Sequence, residues 1–356
     1  MYRIPFLLML LMMHIVDAVG ITHDEDVIFT YVECFAHHSS RVHTDFCQYM
    51  KLHDKTYSNG NWREKLSAWK ESVAFVRSHN AKDGIEYELA LNHMADMTHN
   101  EYLKRLTLPI RTQKSKEKRV KEMTIEELSE KYPPPSSYDW RDHSDMSPVA
   151  TQGDCGSCFA IVAAEMIDWW NNKLQPTRHS TSSVQQLMDC SSDEFPADAE
   201  RCSGSVMEFP LRYARQHRVW HEHDYPYEER GDLCKKEFPT YKTIHPVNMH
   251  HTDRYSENVE KSLTSYIYHY GPVGVSFDAS DRKFQHLGSG IYSPSHCSET
   301  DVNHALLVVG YTPDYYILKN SWGVSYGVDG YFKLKRGSKI CGLYEVVSVI
   351  LSANLK

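Results

Sequence analysis

The stretch QGDCGSCFA, residues 152–160, places Cys155 and Cys158 three positions apart, directly before an apolar run. Two cysteines at this spacing can form a redox dithiol, half of a metal site, or one disulfide partner beside one reactive thiol. The spacing alone does not distinguish these three kinds of site. The rest of the chain has to decide between them.

Composition indicates a soluble globular protein with two units. The chain has 356 residues, of which 41% are hydrophobic and 24% charged. Domains usually contain roughly 100 to 200 residues. The composition is ordinary for folded domains, so it indicates neither a fibrous repeat nor a disordered chain. The net charge of −8 argues against a general nucleic-acid binder.

The first twenty residues have the pattern of a secretory signal peptide. Arg3 precedes an apolar run over residues 4–13, and small residues at Ala18 and Gly20 fit a cleavage site after residue 20. The run is shorter than the roughly 20 apolar residues that span a bilayer. We therefore expect residues 1–20 to be removed and the mature chain to lie in a secretory or lysosomal lumen, with no membrane anchor.

That oxidising compartment makes the cysteine count informative. The chain has nine cysteines, and in such a compartment most of them should pair. Because the number is odd, at least one thiol is left without a partner. That thiol is a candidate for chemistry.

The chain changes character near residue 131. Residues 62–76 carry apolar side chains at spacings of three and four, which predicts a helix with one buried stripe. Residues 111–121 contain six basic side chains and almost no apolar ones, as in an exposed, cleavable linker. Prolines at 133–135 cannot continue a helix. We predict a first unit over residues 21–133 and a second over residues 134–356.

The second unit combines a helical half with a strand-rich half. Residues 159–173 are apolar and free of glycine and proline, so we expect a buried helix that begins at or just before Cys158. Another helix is predicted from Val259 to Gly271. Short aromatic and β-branched segments after Pro272 predict strands with turns between them. The predicted fold class is α+β, with two lobes and a cleft in which a site can form.

Three residues of this unit can form a nucleophilic site. Cys158 lies where a loop meets the helix that it begins, so backbone N–H groups and the helix dipole should lower the pKa of its thiol. His304 enters a predicted strand directly after a polar turn, and Asn320 starts the turn that closes the next strand. Adjacent antiparallel strands would place the two side by side, and an amide oxygen can then orient the imidazole as a base.

The blocks QGDCGSC, NHALLVVGY and KNSWG match, in order and spacing, those of the papain-like cysteine peptidases. From about residue 135 to its end the chain resembles the cathepsin L-like members of that family. The resemblance implies that Cys158 is the nucleophile, His304 the general base and acid, and Asn320 the residue that orients it. It further implies a papain-like fold with a helical left lobe and a β-barrel-like right lobe, preceded by a mostly helical prodomain.

The same resemblance implies further site residues and a cysteine pairing. Gln152 and the backbone N–H of Cys158 would form the oxyanion hole, and Trp322 would shield the bond between Asn320 and His304 from water. The implied disulfides, with a possible fourth in the first unit, are Cys155–Cys202, Cys190–Cys234, Cys297–Cys341 and Cys34–Cys47. Only Cys158 is then left free.

The first unit resembles, more weakly, the inhibitory propeptides of that family. Its helical core lies at about 43–106, where Asn80 matches the usual residue, and ALNHMAD, residues 90–96, matches the second propeptide block. The implied segment folds against the enzyme, runs through the cleft in the non-productive direction and is removed near residues 131–135. Carboxylate and histidine contacts that are lost at acidic pH are expected to weaken its hold.

Substrate contacts follow from the resemblance by position. An apolar pocket with a closed end would accept an aliphatic or aromatic side chain at the second residue before the cut. The implied substrate-binding residues are Gly156, Gly204, Ser205, Val206, Met207, Ser276, Ala305, Trp322 and Val346. The segment between Cys190 and Cys202 is short and lacks histidine, so the occluding loop of dipeptide-releasing relatives is absent and an endopeptidase is expected.

Three positions depart from the family pattern. Phe159 stands where tryptophan is usual, Ser205 stands where a second glycine is usual, and Asn303 replaces the common aspartate before the histidine. None of these changes removes a catalytic group. They leave the substrate preference and the pH profile open.

Two functional classes fit these residues. One is a hydrolase made as a zymogen, and the other is a binding protein with the same fold that has lost turnover because Ser205 and Phe159 alter the cleft. The presence of the nucleophile favours the enzyme. Expected partners are protein and peptide substrates, the chain's own propeptide and cystatin-type inhibitors, and a monomer without cofactor or metal is expected. The stretch HEHD, residues 221–224, lacks the second half of a metal site and is interpreted as a solvated turn.

Overall fold

The computed structural model describes residues 28–37, 40–58, 60–106, 125–143, 146–174, 181–191, 201–235, 248–252, 259–337, 341–343 and 347–351. The chain forms two compact units, residues 1–73 and 74–356, which are called the first and second unit from here on. Their boundary lies closer to the N-terminus than the predicted limit at residue 133, so the second unit includes residues 74–133 of the predicted propeptide. The predicted signal peptide and the basic linker at 111–121 lie outside the described residues.

The first unit is a small helical body closed by one disulfide. Its elements are β1 (Ile28–Phe29), α1 (Tyr31–His37), α2 (Arg41–Leu52), β2 (Tyr57–Ser58) and the first part of α3 (Trp62–Asn80). β1 pairs with β2 in antiparallel fashion, and Cys34 in α1 is bonded to Cys47 in α2. The side chain of Ser40 caps α2 by accepting a hydrogen bond from the backbone of His43.

The predicted stripe on α3 is buried. Trp62, Leu66, Trp69 and Val76 are each less than 8% exposed. This is the expected outcome for apolar side chains that recur every three or four residues of a helix. Val73, which belongs to the same stripe, is half-buried, and the charged side chains of Arg63, Glu64 and Lys70 are exposed.

The second unit begins with a segment that adds a strand and two short helices. Its elements are β3 (Tyr87–Leu89), α4 (His99–Arg105) and α5 (Ile125–Lys131). Thr98 and Glu101 form a capping box at the start of α4, in which each side chain bonds the other residue's backbone N–H. α5 packs against a later helix through a hydrogen bond of 2.6 Å between the hydroxyls of Ser129 and Ser265.

The helical part of the second unit is built around one buried helix. Its elements are β4 (Tyr138–Asp139), a 3-10 turn (Trp140–His143), α6 (Cys158–Leu174), α7 (Val184–Cys190) and α8 (Glu208–Gln216). Every residue of α6 from Cys158 to Trp170 is buried, as its apolar sequence predicts. The carboxylate of Glu165 in this helix pairs with the ammonium of Lys319 at 2.7 Å, so the buried charge is compensated.

The strand-rich part contains β5 (Asn248–Thr252), α9 (Val259–Tyr270), β6 (Val273–Phe277), α10 (Arg282–Gln285), β7 (Leu287–Tyr292), β8 (His304–Tyr311), β9 (Tyr315–Lys319), β10 (Tyr331–Lys335) and β11 (Val347–Leu351). The strands lie in the order β3-β7-β10-β9-β8-β6-β11-β5, and β4 pairs with β8. β8 is the central strand and all eight of its residues are buried. β6, β8 and β9 are antiparallel neighbours, whereas β10 and β7 are parallel.

Three disulfides tie the second unit together. Cys155 is bonded to Cys202, Cys190 to Cys234 and Cys297 to Cys341, which leaves Cys158 as the free cysteine. The pairs are those that the family pattern implied. No helix in the described ranges is both long and apolar enough to cross a bilayer.

Candidate active site

Cys158 stands at the first position of α6, and the loop before it is held by close backbone contacts. The N–H of Gly156 donates to the carbonyl of Cys202 at 2.8 Å. A Cβ at Gly156 would lie 2.5 Å from that oxygen, so glycine is required for this approach. The Cys158 side chain is only 1% exposed.

His304 and Asn320 meet across the β8–β9 pair. Nε2 of His304 lies 2.9 Å from Oδ1 of Asn320, which also accepts a hydrogen bond from the backbone N–H of Ser321. Because an amide oxygen only accepts, the proton of the neutral imidazole is on Nε2 and Nδ1 is left as an acceptor. Within the described part of the chain, Nδ1 has no hydrogen-bond partner.

Trp322 covers this pair. Its ring stacks on the imidazole of His304 with centroids 4.6 Å apart and an angle of 25° between the planes. His304, Asn320 and Trp322 are each no more than 5% exposed. The hydrogen bond between the histidine and the asparagine is therefore shielded from water.

The thiol reaches the strand that carries the histidine. Burial raises the pKa of Cys158 to about 11, and hydrogen bonds from the backbone N–H groups of Ala305, Phe159 and Cys158 itself only partly offset it. Since Ala305 follows His304 in β8, the sulfur lies at the start of that strand. The sequence-based expectation of a lowered thiol pKa is wrong for this form of the protein, because desolvation exceeds the effect of the helix N-terminus.

The histidine is also neutral in this form. Burial lowers the pKa of His304 to about 4, although the hydrogen bond to Asn320 acts in the opposite direction. In this form, therefore, the thiol is protonated and the imidazole is neutral, so the two do not form an ion pair.

Gln152 is fixed at the other side of the nucleophile loop. Its Oε1 accepts from the Ser321 hydroxyl at 2.7 Å and from the Trp322 indole at 3.1 Å, and its Nε2 donates to the carbonyl of Cys155 at 2.9 Å. Gln152 is only 2% exposed in this form, and its place in an oxyanion hole stays a prediction. The contact of Ser321 with Gln152 was not predicted, although Ser321 lies inside the KNSWG block.

Residues 93–105 lie against this site. The Tyr102 hydroxyl donates to the carbonyl of Ala279 at 2.5 Å, and its ring meets Trp322 edge-on at 5.7 Å. Arg105 forms an ion pair with Asp154 in the nucleophile loop. A cavity of about 10 Å³ remains between the two sides, lined by His93, Met94, Tyr102, Arg105, Thr151, Gln152, Gly153 and Trp322.

The residues assigned to substrate binding by position differ in exposure. Gly204, Ser205, Val206 and Ser276 are half-buried, Gly156 and Ala305 are buried, and Val346 lies outside the described residues. Met207 is only 2% exposed, and a Cβ at Gly274 would lie 2.8 Å from its sulfur. In this form, therefore, Met207 packs into the core, and its place in a substrate pocket stays a prediction.

The HEHD stretch is not simply a solvated turn. Glu222 is half-buried, and its carboxylate accepts the backbone N–H groups of Tyr227 at 2.7 Å and Val184 at 3.1 Å. In the portion of the chain described, no group of three or more His, Cys, Asp or Glu side chains is arranged to hold a metal ion.

Comparison with known families identifies the larger part of the second unit. The family described as papain family cysteine protease matches residues 134–351. The chain belongs to the papain family of cysteine proteases. The cathepsin propeptide inhibitor domain matches residues 46–102 of the same chain.

Relatives of this papain-family protease match over nearly their whole length. Procathepsin L of Rattus norvegicus is 30% identical over 317 residues, which cover 85% of this chain and 90% of the relative. Cathepsin K of Mus musculus is 30% identical over 308 residues, which cover 84% of this chain and 90% of the relative. The solved structure of digestive procathepsin L 3 from Tenebrio molitor larval midgut has a TM-score of 0.74 at 30% identity and covers 88% of this chain and 99% of its own.

The papain-family protease is thus a cathepsin L-like cysteine protease zymogen, with its own inhibitory propeptide and a papain-like fold. The predicted family, α+β fold class and enzyme class are confirmed. The roles of individual residues and the domain limits at residues 20 and 133 stay predictions.

Proposed function

We propose that this zymogen matures to an endopeptidase in which Cys158, His304, Asn320 and Gln152 carry the reaction. The observation that supports this most is the state of His304. Its Nε2 is bonded to Asn320 at 2.9 Å, while Nδ1 has no partner among the described residues and the Cys158 sulfur lies at the N–H of the next residue in β8.

Acylation would begin with transfer of the thiol proton. The Cys158 S–H gives its proton to Nδ1 of His304, and the sulfur forms a bond to the carbonyl carbon of the substrate. The carbonyl oxygen becomes an oxyanion that accepts hydrogen bonds from the Cys158 N–H and Gln152 Nε2. The tetrahedral intermediate then collapses, the C–N bond breaks, and the Nδ1 proton moves to the leaving amine.

Deacylation would repeat the sequence with water. His304 takes a proton from water through Nδ1, and the resulting hydroxide attacks the thioester carbonyl. Collapse breaks the C–S bond, releases the carboxylic acid and returns the proton to the sulfur. Asn320 holds the imidazole in the tautomer and orientation that both half-reactions need.

The proposed preference for an apolar side chain at the second residue before the cut rests on the residues assigned to that pocket. Val206, Met207, Ala305 and Val346 are apolar, and Ser276 is small and uncharged. Activity at acidic pH is proposed because the propeptide should be released there. Residues 131–135 stay the proposed cut site, and Tyr132 is 53% exposed at that point.

The setting proposed for the enzyme is the secretory pathway, with an extracellular or lysosomal destination. It rests on the signal-peptide pattern of residues 1–20 and on four disulfides, which form in oxidising compartments. A monomer that binds cystatin-type inhibitors is proposed by family resemblance.

Intact mass spectrometry of the purified zymogen tests the proposal. The zymogen is incubated at acidic pH with reductant, with and without an epoxide directed at papain-like thiols. We expect loss of the mass up to residues 131–135 and one adduct on Cys158. The Cys158→Ala variant, treated identically, should neither process nor take the adduct.

An unprocessed chain without adduct would contradict self-activation. Adding a trace of active protease then separates a zymogen that needs another enzyme from a protein without turnover. In the second case a fluorogenic peptide stays uncut even after the propeptide has been removed.

A further inference from the structure

We propose that Tyr227 is a positioning residue that fixes the distance between the two donors of the oxyanion hole. The inference rests on the proposed function, in which Gln152 and the Cys158 N–H are those donors. Its hydroxyl bonds the loop at Gln152 and Ser157 and makes no bond to the oxyanion itself. It acts through the loop that carries both donors.

The phenol of Tyr227 bonds both ends of that loop. Its hydroxyl oxygen lies 2.8 Å from the carbonyl oxygen of Gln152 and 2.5 Å from the hydroxyl of Ser157. A carbonyl oxygen only accepts, so the phenol proton points to Gln152. Ser157 must then donate its own proton to the phenol oxygen, and the three groups form one directed chain.

The two ends of the loop are the places where the donors are attached. Gln152 carries the side-chain donor, and Ser157 directly precedes the residue that supplies the backbone donor, Cys158. Between them the backbone passes through Gly153, whose φ of +62° is a conformation that other residues rarely adopt. A loop with such a turn can change its end-to-end distance by small rotations, and the phenol bridge opposes that change.

Other contacts hold the first end or the middle of the loop, and the longest within it runs from Nε2 of Gln152 to the carbonyl of Cys155 at 2.9 Å. The disulfide of Cys155 and the bond from Gly156 to Cys202 attach the middle to the helical part of the second unit. The N–H of Gln152 donates to the carbonyl of Ser321 at 2.8 Å, which attaches the first end to the turn after β9. Tyr227 connects the first end to the last.

Tyr227 is itself held firmly. Its backbone N–H donates to Glu222 at 2.7 Å, and the N–H of the next residue, Glu228, donates to Gln185 at 2.9 Å. The ring is half-buried against the core of the unit. Burial is the main reason that the pKa of Tyr227 is raised to about 12, so the hydroxyl keeps its proton at any working pH.

The expected effect is smaller than loss of an oxyanion donor. Removing one such donor lowers kcat by about 10² to 10³-fold, whereas a loosened donor stays present but is misplaced part of the time. We expect Tyr227→Phe to lower kcat by roughly 10-fold and to leave KM within about twofold, because the bond to the oxyanion forms only after the substrate is bound.

The test compares four matured enzymes with the wild type: Tyr227→Phe, Ser157→Ala, the double variant, and Tyr225→Phe as a matched control. Tyr225 lies two residues away, and its hydroxyl donates to Asp189 at 2.8 Å instead of to the loop. For each enzyme, kcat, KM, melting temperature and the rate at which iodoacetamide alkylates Cys158 are measured. Alkylation needs the thiolate but no oxyanion hole.

The proposal predicts that Tyr227→Phe has a lower kcat than the wild type, while its alkylation rate stays within about twofold of the wild-type rate. The double variant should lose no more than Tyr227→Phe alone, because both changes break the same chain. Tyr225→Phe should keep its kcat.

Two results would overturn the proposal. One is a Tyr227→Phe enzyme with wild-type kcat. The other is parallel loss of kcat, alkylation rate and melting temperature, which would assign Tyr227 a merely structural role. Failure of the proposed function is distinguishable from both, since the wild-type enzyme would then cleave peptide no faster than Cys158→Ala.

Discussion

At the scale of single residues, the orientation of one imidazole decides what the site can do. Asn320 accepts at the same oxygen from His304 and from the backbone of Ser321, so its amide cannot rotate freely. The proton that it fixes on Nε2 leaves Nδ1 as an acceptor, which is what the proposed role of base requires. Trp322 excludes water that would compete for the amide oxygen.

Asn320→Ala should lower kcat/KM by about 10 to 100-fold with little change in KM, because the ring loses its orienting acceptor but keeps both nitrogens. Steady-state kinetics on the matured enzyme measures this change. Asn303→Ala is the control, since that amide bonds Ala279 and Ser280 and not the imidazole. Equal losses in the two variants would contradict the role of Asn320.

The thiol of the zymogen should react slowly. With the pKa of Cys158 raised to about 11 by burial, its thiolate fraction at pH 7 is roughly 300-fold below that of a free cysteine with a pKa near 8.5. We expect iodoacetamide to alkylate the intact zymogen at least about 10²-fold more slowly than the unfolded chain at the same pH. Similar rates in the folded and unfolded chains would contradict a buried, protonated thiol.

At the scale of elements, the turn that ends α10 receives the propeptide. The Asn92 side chain donates to the carbonyl of Gln285 at 2.8 Å, and the N–H of Ala90 donates to the carbonyl of His286 at 2.7 Å. His286 is fully buried, and within the described residues neither of its ring nitrogens has a hydrogen-bond partner. Phe75 from α3, Arg282 from α10 and His99 from α4 face it.

This turn should make propeptide release depend on pH. Burial, together with the charges of Arg282 and His99, lowers the pKa of His286 to about 4, against 6.5 for a free histidine. Phe75 and His99 belong to the propeptide and leave with it, whereas Arg282 stays, so release removes part of this shift. The docked state therefore binds fewer protons than the released one, and its stability, complete above about pH 6.5, decreases as the pH drops towards 4.

His286→Phe keeps the ring and removes the titration, so activation at pH 4.5 should slow by roughly 10-fold while the zymogen at pH 7 stays unchanged. The rate of propeptide release is followed by intact mass. His296→Gln, at an exposed position, is the control. An activation profile that His286→Phe leaves unaltered would contradict the role of this turn.

Helices and strands with a clear apolar sequence pattern could be predicted from the sequence. Strands that form only because neighbouring strands pair with them could not. Residues 159–173 and the strands at β6, β8, β9 and β10 have clear apolar patterns, and the structure contains them. β7, with the sequence LGSGIY, has two glycines and becomes a strand because β10 and β3 flank it.

The direction of the thiol pKa shift was predicted wrongly, because a nine-residue motif does not reveal how deeply the folded chain buries the sulfur. Glu222 was missed because its partners, Tyr227 and Val184, are set by tertiary structure.

At the scale of the whole molecule, the disulfide Cys34–Cys47 stabilises a small unit. The propeptide family match begins at residue 46, so β1, α1 and the start of α2 precede it. A body of this size has a limited core. Closing a loop of 13 residues is worth about 3 kcal/mol in the chain-entropy estimate.

The double variant Cys34→Ser, Cys47→Ser should therefore lower the free energy of unfolding of the first unit by about 2 to 3 kcal/mol. Denaturant unfolding of the zymogen, followed by its total tryptophan fluorescence, measures this change in the transition to which Trp62 and Trp69 contribute. The second unit, whose three disulfides are intact, should unfold at its usual denaturant concentration. An unchanged first transition would contradict the stabilising role of this bridge.

Maturation also changes which backbone the catalytic unit presents to its surroundings. β3 of the propeptide is the outermost strand of the sheet, and it lies so close to β7 that a Cβ at Gly290 would meet the carbonyl of Glu86 at 2.5 Å. When the propeptide leaves, β7 becomes a free sheet edge whose N–H and C=O groups can pair with another chain. Removal of the propeptide would thus uncover a sheet edge that the precursor keeps paired.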